Sequence, residues 1–95
     1  MTNDTRRAAA NWALFDATGR EQDRGEAEAV IDDEGLNVGL AGVAFVDVDA
    51  LEVSERRVEL ELWPDGRLRV EGLGRRHDAF VAELGRARNG ARVAG

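Results

Sequence analysis

The sequence predicts a mostly β domain of the α+β class: an antiparallel meander or partial barrel capped by one C-terminal α-helix. Three observations carry this expectation. Apolar and polar residues alternate with a period of two from Ala27 to Val70, with phase breaks that mark turns. Pro64-Asp65-Gly66 interrupts the alternation with turn chemistry. Beyond Gly74 the period changes, and Phe80, Leu84 and Ala87 fall at helical spacing. At 95 residues the chain is one domain with one core. It divides into an N-terminal arm over residues 1–26, a sheet with its helix over 27–90, and a frayed tail over 91–95.

The arm admits two readings. Asp4 or Thr5 caps a helix carrying Ala8, Trp12 and Phe15 on one stripe, with Gly19 as its stop. Alternatively, Trp12–Ala17 is a first strand. Residues 18–26 hold no apolar side chain and read as a loop. Next, Ala27, Ala29 and Ile31 alternate with Glu26, Glu28 and Val30, and Asp33-Glu34-Gly35 is a turn signal. Pairing Ile31 with Val38 and Ala29 with Leu40 keeps every inward residue on one face. Gly39 and Gly42 flank a bend before a strand Val43–Val48. The apolar phase then flips to Leu51 and Val53, which predicts a bulge near Asp49-Ala50.

Ser54-Glu55-Arg56-Arg57 turns the chain so that Val53 pairs with Val58 and Leu51 with Leu60. In the strand Val58–Trp63, Val58, Leu60 and Leu62 face inward. Pro64-Asp65-Gly66 reads as a three-residue loop that pairs Leu62 with Leu68 and Leu60 with Val70. That register sets Glu61 beside Arg69 and Trp63 beside Arg67, and leaves Glu59 opposite Glu71. Gly72-Leu73-Gly74 ends the strand. A helix runs from about Arg75 to Asn89, with Asp78 in its first turn, Arg86 and Arg88 in its last, and Asn89-Gly90 as its C-cap.

Composition narrows the function classes. With no cysteine, disulfides and thiolate metal sites are excluded. Small secreted domains usually need such staples, so a cytoplasmic location is expected. Arg6 and Arg7 before Ala8–Ala10 look loosely like a signal n-region. Asn11 and Asp16 then break the apolar stretch, so no signal peptide is expected. No apolar run approaches the roughly 20 residues of a membrane span. All 13 basic residues are arginine, and the net charge of −6 argues against general nucleic-acid binding. The charge is uneven: four Arg against twelve acidic residues give −8 over residues 1–54, and nine against seven give +2 over 55–95.

Catalytic residues are scarce, and no catalytic, cofactor or metal site is expected. Ser54, His77 and Asp78 form a triad only on paper, because neighbours on a helix do not face each other. Asp47 and Asp49 lack the glycine and ligand spacing of a calcium loop. Gly72-Leu73-Gly74 resembles half of a dinucleotide fingerprint, but the third glycine falls on His77 and no βαβ context surrounds it. Gly74, Arg75 and Arg76 at a helix start form a candidate anion site. Trp63, Arg67 and Arg69, with Arg57, form a candidate interaction surface on the solvent side.

Short strands in meander order closed by one amphipathic helix, over residues 27–89, resemble the pleckstrin-homology-like architecture. The segment Val58–Asn89 is also similar to a group of small prokaryotic domains of unassigned function. In these an Asp-Gly hairpin leads into Leu-Gly-x-Arg-x-x-x-Phe and Leu-x-x-x-Arg-Asn. Here the segments are Leu73-Gly74-Arg75-Arg76-His77-Asp78-Ala79-Phe80 and Leu84-Gly85-Arg86-Ala87-Arg88-Asn89, so the first Arg falls at Arg76. The resemblance implies a bent sheet plugged by its helix, and a binding or scaffolding role with no active site. The lysine-rich loop that binds phosphoinositides in many such domains is absent, so lipid binding is not carried over. The expected function is a non-enzymatic protein-interaction or scaffold domain, with self-association through an exposed sheet edge as one route. The alternative is an anion or small-ligand module at the Gly72–Gly74 corner.

Overall fold

The computed structural model describes residues 6–39 and 41–94, with side chains described through residue 90. Leu40, the Asp4 or Thr5 cap and Gly95 lie outside the described residues. The elements are β1 (Arg7–Phe15), β2 (Glu21–Ile31), β3 (Gly35–Val38), β4 (Ala41–Ala44), a 3-10 turn (Phe45–Asp47), β5 (Val48–Val53), β6 (Arg57–Leu62), β7 (Arg67–Glu71), a second 3-10 turn (Gly74–Arg76) and α1 (His77–Ala94). The strands form one antiparallel sheet in the order β4-β3-β2-β1-β7-β6-β5, curled into a half-barrel and capped by α1. The curl comes from the connectivity. The two edge strands, β4 and β5, are joined by only the three residues of the first 3-10 turn, so both edges depart from one corner. Phe45, at 1% exposure, fills that corner from inside.

The N-terminal arm is a strand. Ala8 and Trp12 are four apart, a spacing that suits either period. Buried Ala10 between them settles it, because only a strand puts residues 8, 10 and 12 on one face. Phe15, which would complete the helical stripe, lies on the outer face under the guanidinium of Arg69, 4.9 Å from the ring centroid. Residues 18–26 are a loop only as far as Arg20, and β2 runs across the expected boundary at residue 26. The polar half of β2 is held by its backbone ladder to β1, in which Leu14 pairs with Asp23 and Trp12 with Gly25. Such a segment carries no apolar alternation to read.

Asp16 builds the β1–β2 turn. Its Oδ1 accepts from Thr18 N (2.9 Å), Thr18 Oγ1 (2.6 Å) and Arg20 N (3.0 Å), and its Oδ2 accepts from Gln22 Nε2 (2.7 Å). These bonds, the Thr18 hydroxyl first, hold the carboxyl below the usual carboxylate range. A carboxylate with a lowered folded pKa stabilises the fold above its unfolded value, and that contribution is lost as pH falls through the folded value. The stability difference between the wild type and Asp16→Ala, followed by urea unfolding, is therefore expected to be full at neutral pH and to shrink steadily below about pH 4. A difference constant down to pH 2 would contradict this account of the turn.

Two hairpin registers differ from expectation by two residues, and both have a physical reason. In the β2–β3 hairpin, Ala29 pairs with Val38 and Ile31 with Leu36. Asp32 tightens this turn: its Oδ1 accepts from the N–H groups of Glu34 and Gly35, each at 2.8 Å. In the β6–β7 hairpin, Leu60 pairs with Leu68 and Val58 with Val70. The loop is longer than three residues, closed by Leu62 N–H to Gly66 O at 3.0 Å, and the Trp63–Pro64 peptide is cis. The observed register sets Arg57 opposite Glu71, Glu59 opposite Arg69 and Glu61 opposite Arg67. Every charged rung is then complementary, and the Glu59–Glu71 repulsion of the expected register is avoided. Trp63 consequently does not sit beside Arg67.

The β5–β6 pairing is as expected, with Val53 opposite Val58 and Leu51 opposite Leu60, and the register shifts between Val48 and Ala50. The expected strand Val43–Val48 is instead split by the 3-10 turn, which buries Phe45 and turns Val46 outward. Gly72 and Gly74 take positive φ (76° and 59°), giving the tight corner that lays α1 back across the core. Phe80, Leu84 and Ala87 are buried there, as their spacing implies. The Asn89-Gly90 stop is not used, and α1 continues through the expected tail to Ala94. One glycine costs a helix only about 1 kcal/mol relative to alanine, which alone does not end it.

Candidate interaction surface at the free edge of β5

Among the described residues, β5 pairs with β6 on one side only. Ser54 N–H donates to Arg57 O (2.9 Å) and Leu62 N–H to Gly66 O (3.0 Å), which fixes the alternation of the antiparallel ladder. Arg57, Glu59 and Glu61 bond toward β5, whereas Val58 and Leu60 bond toward β7. By the same alternation, Leu51 and Val53 direct their N–H and C=O groups away from β6, into the open edge. The start of this edge is closed: Arg88 on α1 reaches over it and donates from Nη2 to Asp49 O (3.1 Å) and, more weakly, to Val48 O (3.5 Å).

Exposed apolar side chains stand at both ends of the same strand. Among the described residues, the exposed large hydrophobics are Val46 (82%), Trp63 (64%) and Val53 (53%). Val46 lies two residues before β5 and Val53 ends it. Trp63 is tied to the corner through its N–H, which donates to Asp47 O at 2.7 Å. A protein surface carries much scattered apolar area. Here Val46 and Trp63 flank the start of β5 and Val53 ends it, so large exposed apolar side chains stand at both ends of one unpaired strand.

The residues singled out in the sequence divide. Trp63 belongs to this edge. Arg67 and Arg69 belong to the outer face of the sheet, where they are engaged. Arg67 donates to Glu59 Oε2 (2.7 Å) and Glu61 Oε1 (3.0 Å), and Glu52 lies at 3.8 Å. Desolvation opposes its charge, but the attraction of Glu59 and Glu52 prevails and raises its pKa. Arg69 lies over Phe15, with Glu71 at 3.7 Å from its Nε. The three expected surface residues thus serve two different places.

Gly74, Arg75 and Arg76 are exposed on the turn before α1, and Arg76 Nη1 donates to Arg7 O at 3.0 Å. A shallow depression of about 520 Å³ lies beside them, lined by Asn11, Glu55, Arg56, Glu71, Gly72, Gly74 and His77. Arg75 and Arg76 do not line it, and Glu55 and Glu71 give it more negative than positive charge.

Ser54 and His77 meet, but not as nucleophile and base. His77 Nε2 lies 2.8 Å from Ser54 O, and because a carbonyl only accepts, Nε2 carries the proton. Ser54 Oγ instead donates to Arg57 O at 3.3 Å. The buried imidazole therefore pins the β5–β6 turn to the first turn of α1. Among the described residues, no three His, Asp or Glu side chains converge on a metal position, and no helix is long and apolar enough to cross a membrane.

Edge status was the part of this site that local sequence reasoning missed. Trp63 was legible as outward-facing, but which strand lacks a neighbour depends on pairing between distant segments. The chain matches no protein-family model, and no curated protein matches it.

Proposed function

We propose that this domain is a non-catalytic protein-interaction module that docks an extended segment of a partner along β5. The observation carrying this reading is the coincidence of open backbone groups at Leu51 and Val53 with exposed Val46, Val53 and Trp63. Strand addition at a sheet edge takes its affinity from main-chain bonds and its selectivity from flanking side-chain contacts. A curled sheet capped by a C-terminal helix accords with the bent, helix-plugged sheet of the pleckstrin-homology-like resemblance, and a binding role is what that resemblance implies.

The test is selection of a random peptide library on the folded domain. Binders are expected to be lost with Val53→Pro, which removes an outward N–H without breaking a ladder bond, and with Trp63→Ala. They are expected to survive the double change Arg75→Ala and Arg76→Ala. Binders that ignore the β5 changes and require both arginines would move the function to the Gly72–Gly74 corner.

A further inference from the structure

We infer that the segment seated on β5 is basic, an extended strand in which arginine or lysine alternates with apolar residues. This rests on the β5 docking reading and specifies its partner. The open edge is bordered by carboxylates. Asp47 and Asp49 stand at its start, Glu52 lies on its outer face and Glu55 comes just after its end. Among the described residues, the side chains of Asp47, Asp49 and Glu55 make no ion pair or hydrogen bond. Glu52 is more than half exposed and has only the 3.8 Å approach of Arg67.

The inner face of the same strand is apolar, through Leu51 and half-exposed Val53. Residues directly opposite each other on adjacent strands share a face. A strand added to β5 therefore meets an apolar row, Leu51 and Val53, on one side and Glu52 on the other, with Asp47, Asp49 and Glu55 at its two ends, which is the complement of an alternating basic and apolar sequence. Charges beside an edge also deter edge-to-edge aggregation. A purely protective edge has no need to expose Val46, Val53 and Trp63 as well.

A second copy of this chain fits poorly. β5 itself carries no cation between Val48 and Val53, and in the antiparallel register that bonds Leu51 to Val53 of the copy, Glu52 falls opposite Glu52. Like charges directly opposite each other destabilise a pair of strands. The other edge strand, β4, is Ala-Gly-Val-Ala and offers no cation to these carboxylates.

The experiment uses the full chain and three short synthetic peptides in which valine alternates with lysine, with serine or with glutamate. Binding is followed by protection of the Leu51 and Val53 amides from hydrogen exchange and by Trp63 emission, with Trp63→Phe supplying the buried Trp12 background. The valine–lysine peptide is expected to bind about tenfold more tightly than the valine–serine peptide, the sum of two or three opposite-charge contacts. That advantage is expected to fall as salt is raised, and the valine–glutamate peptide is expected not to bind. Replacing Asp47→Lys and Asp49→Lys together is expected to remove the preference. Equal protection by the serine or glutamate peptide overturns the basic partner and leaves the docking reading standing. No protection by any peptide overturns both. A dimer that itself protects Leu51 and Val53 identifies a second copy as the occupant and overturns the inference.

Discussion

Gly35→Ala is expected to destabilise this domain by about 3 kcal/mol or more, in the range reserved for strained or overpacked positions. Gly35 is buried at the start of β3, opposite Ala44. A Cβ built there would lie 2.2 Å from the carbonyl oxygen of Val43. The obstacle is backbone in a paired strand, so relief requires β3 and β4 to separate. For a domain of this size that loss lowers Tm by roughly 12–24 °C. Gly85→Ala supplies the contrast. Gly85 is helical and a Cβ there meets nothing within 4 Å. The same chemical change is then expected to stabilise by about 0.5–1 kcal/mol, through reduced backbone freedom in the unfolded chain. Thermal unfolding of the two variants, read side by side, checks both signs. Equal effects would mean that the β3–β4 approach is looser than described.

Phe45→Ala is the second large effect, at about 3–5 kcal/mol for removing a buried aromatic ring. Phe45 is 1% exposed and sits where β4 gives way to β5, with α1 packed over it. Its N–H donates to Glu34 O at 2.8 Å, so the ring and its backbone together tie the corner to the β2–β3 turn. Phe45→Leu, which keeps most of the volume, is expected to cost clearly less. Urea unfolding measures both. The interaction surface gives a second reading of the same variant. Val46 is turned outward by the 3-10 turn that Phe45 anchors, so peptide binding at β5 should weaken in Phe45→Ala even where the domain remains folded. Binding that survives unchanged would place the anchor of this surface elsewhere.

How much of the fold was legible depends on the information that alternation carries. A period of two assigns each residue to a face, which is why Val58, Leu60, Leu68 and Val70 were correctly placed in the core. It does not distinguish registers that differ by two, because both keep the faces. The missing information in the β6–β7 hairpin was electrostatic: only the observed register gives Arg57, Glu59 and Glu61 an opposite charge each. Residues 21–26 escaped for a different reason. Their strand is imposed by pairing with β1, and polar side chains there report exposure, not conformation. The helix was legible in its buried stripe but not in its end, since Asn89-Gly90 lacks the force to stop a helix that continues into Ala91. Of the candidate surface, Trp63 was found, whereas Val46 was hidden inside an expected strand. The carboxylates along β5 acquire meaning only once that strand is seen to be an edge.

β1 occupies the middle of the sheet, with β2 on one side and β7 on the other. This has a consequence for synthesis on the ribosome. The first four strands can pair as they emerge, but one side of β1 stays unsatisfied until residue 71 has left the exit tunnel. The last pairing joins segments from opposite ends of the chain, the kind of contact that slows folding toward milliseconds or longer. During that interval the nascent chain exposes an alanine-rich strand with Trp12 at its centre. A chaperone acting on this protein has its natural target there, on a strand that the finished domain holds between two neighbours.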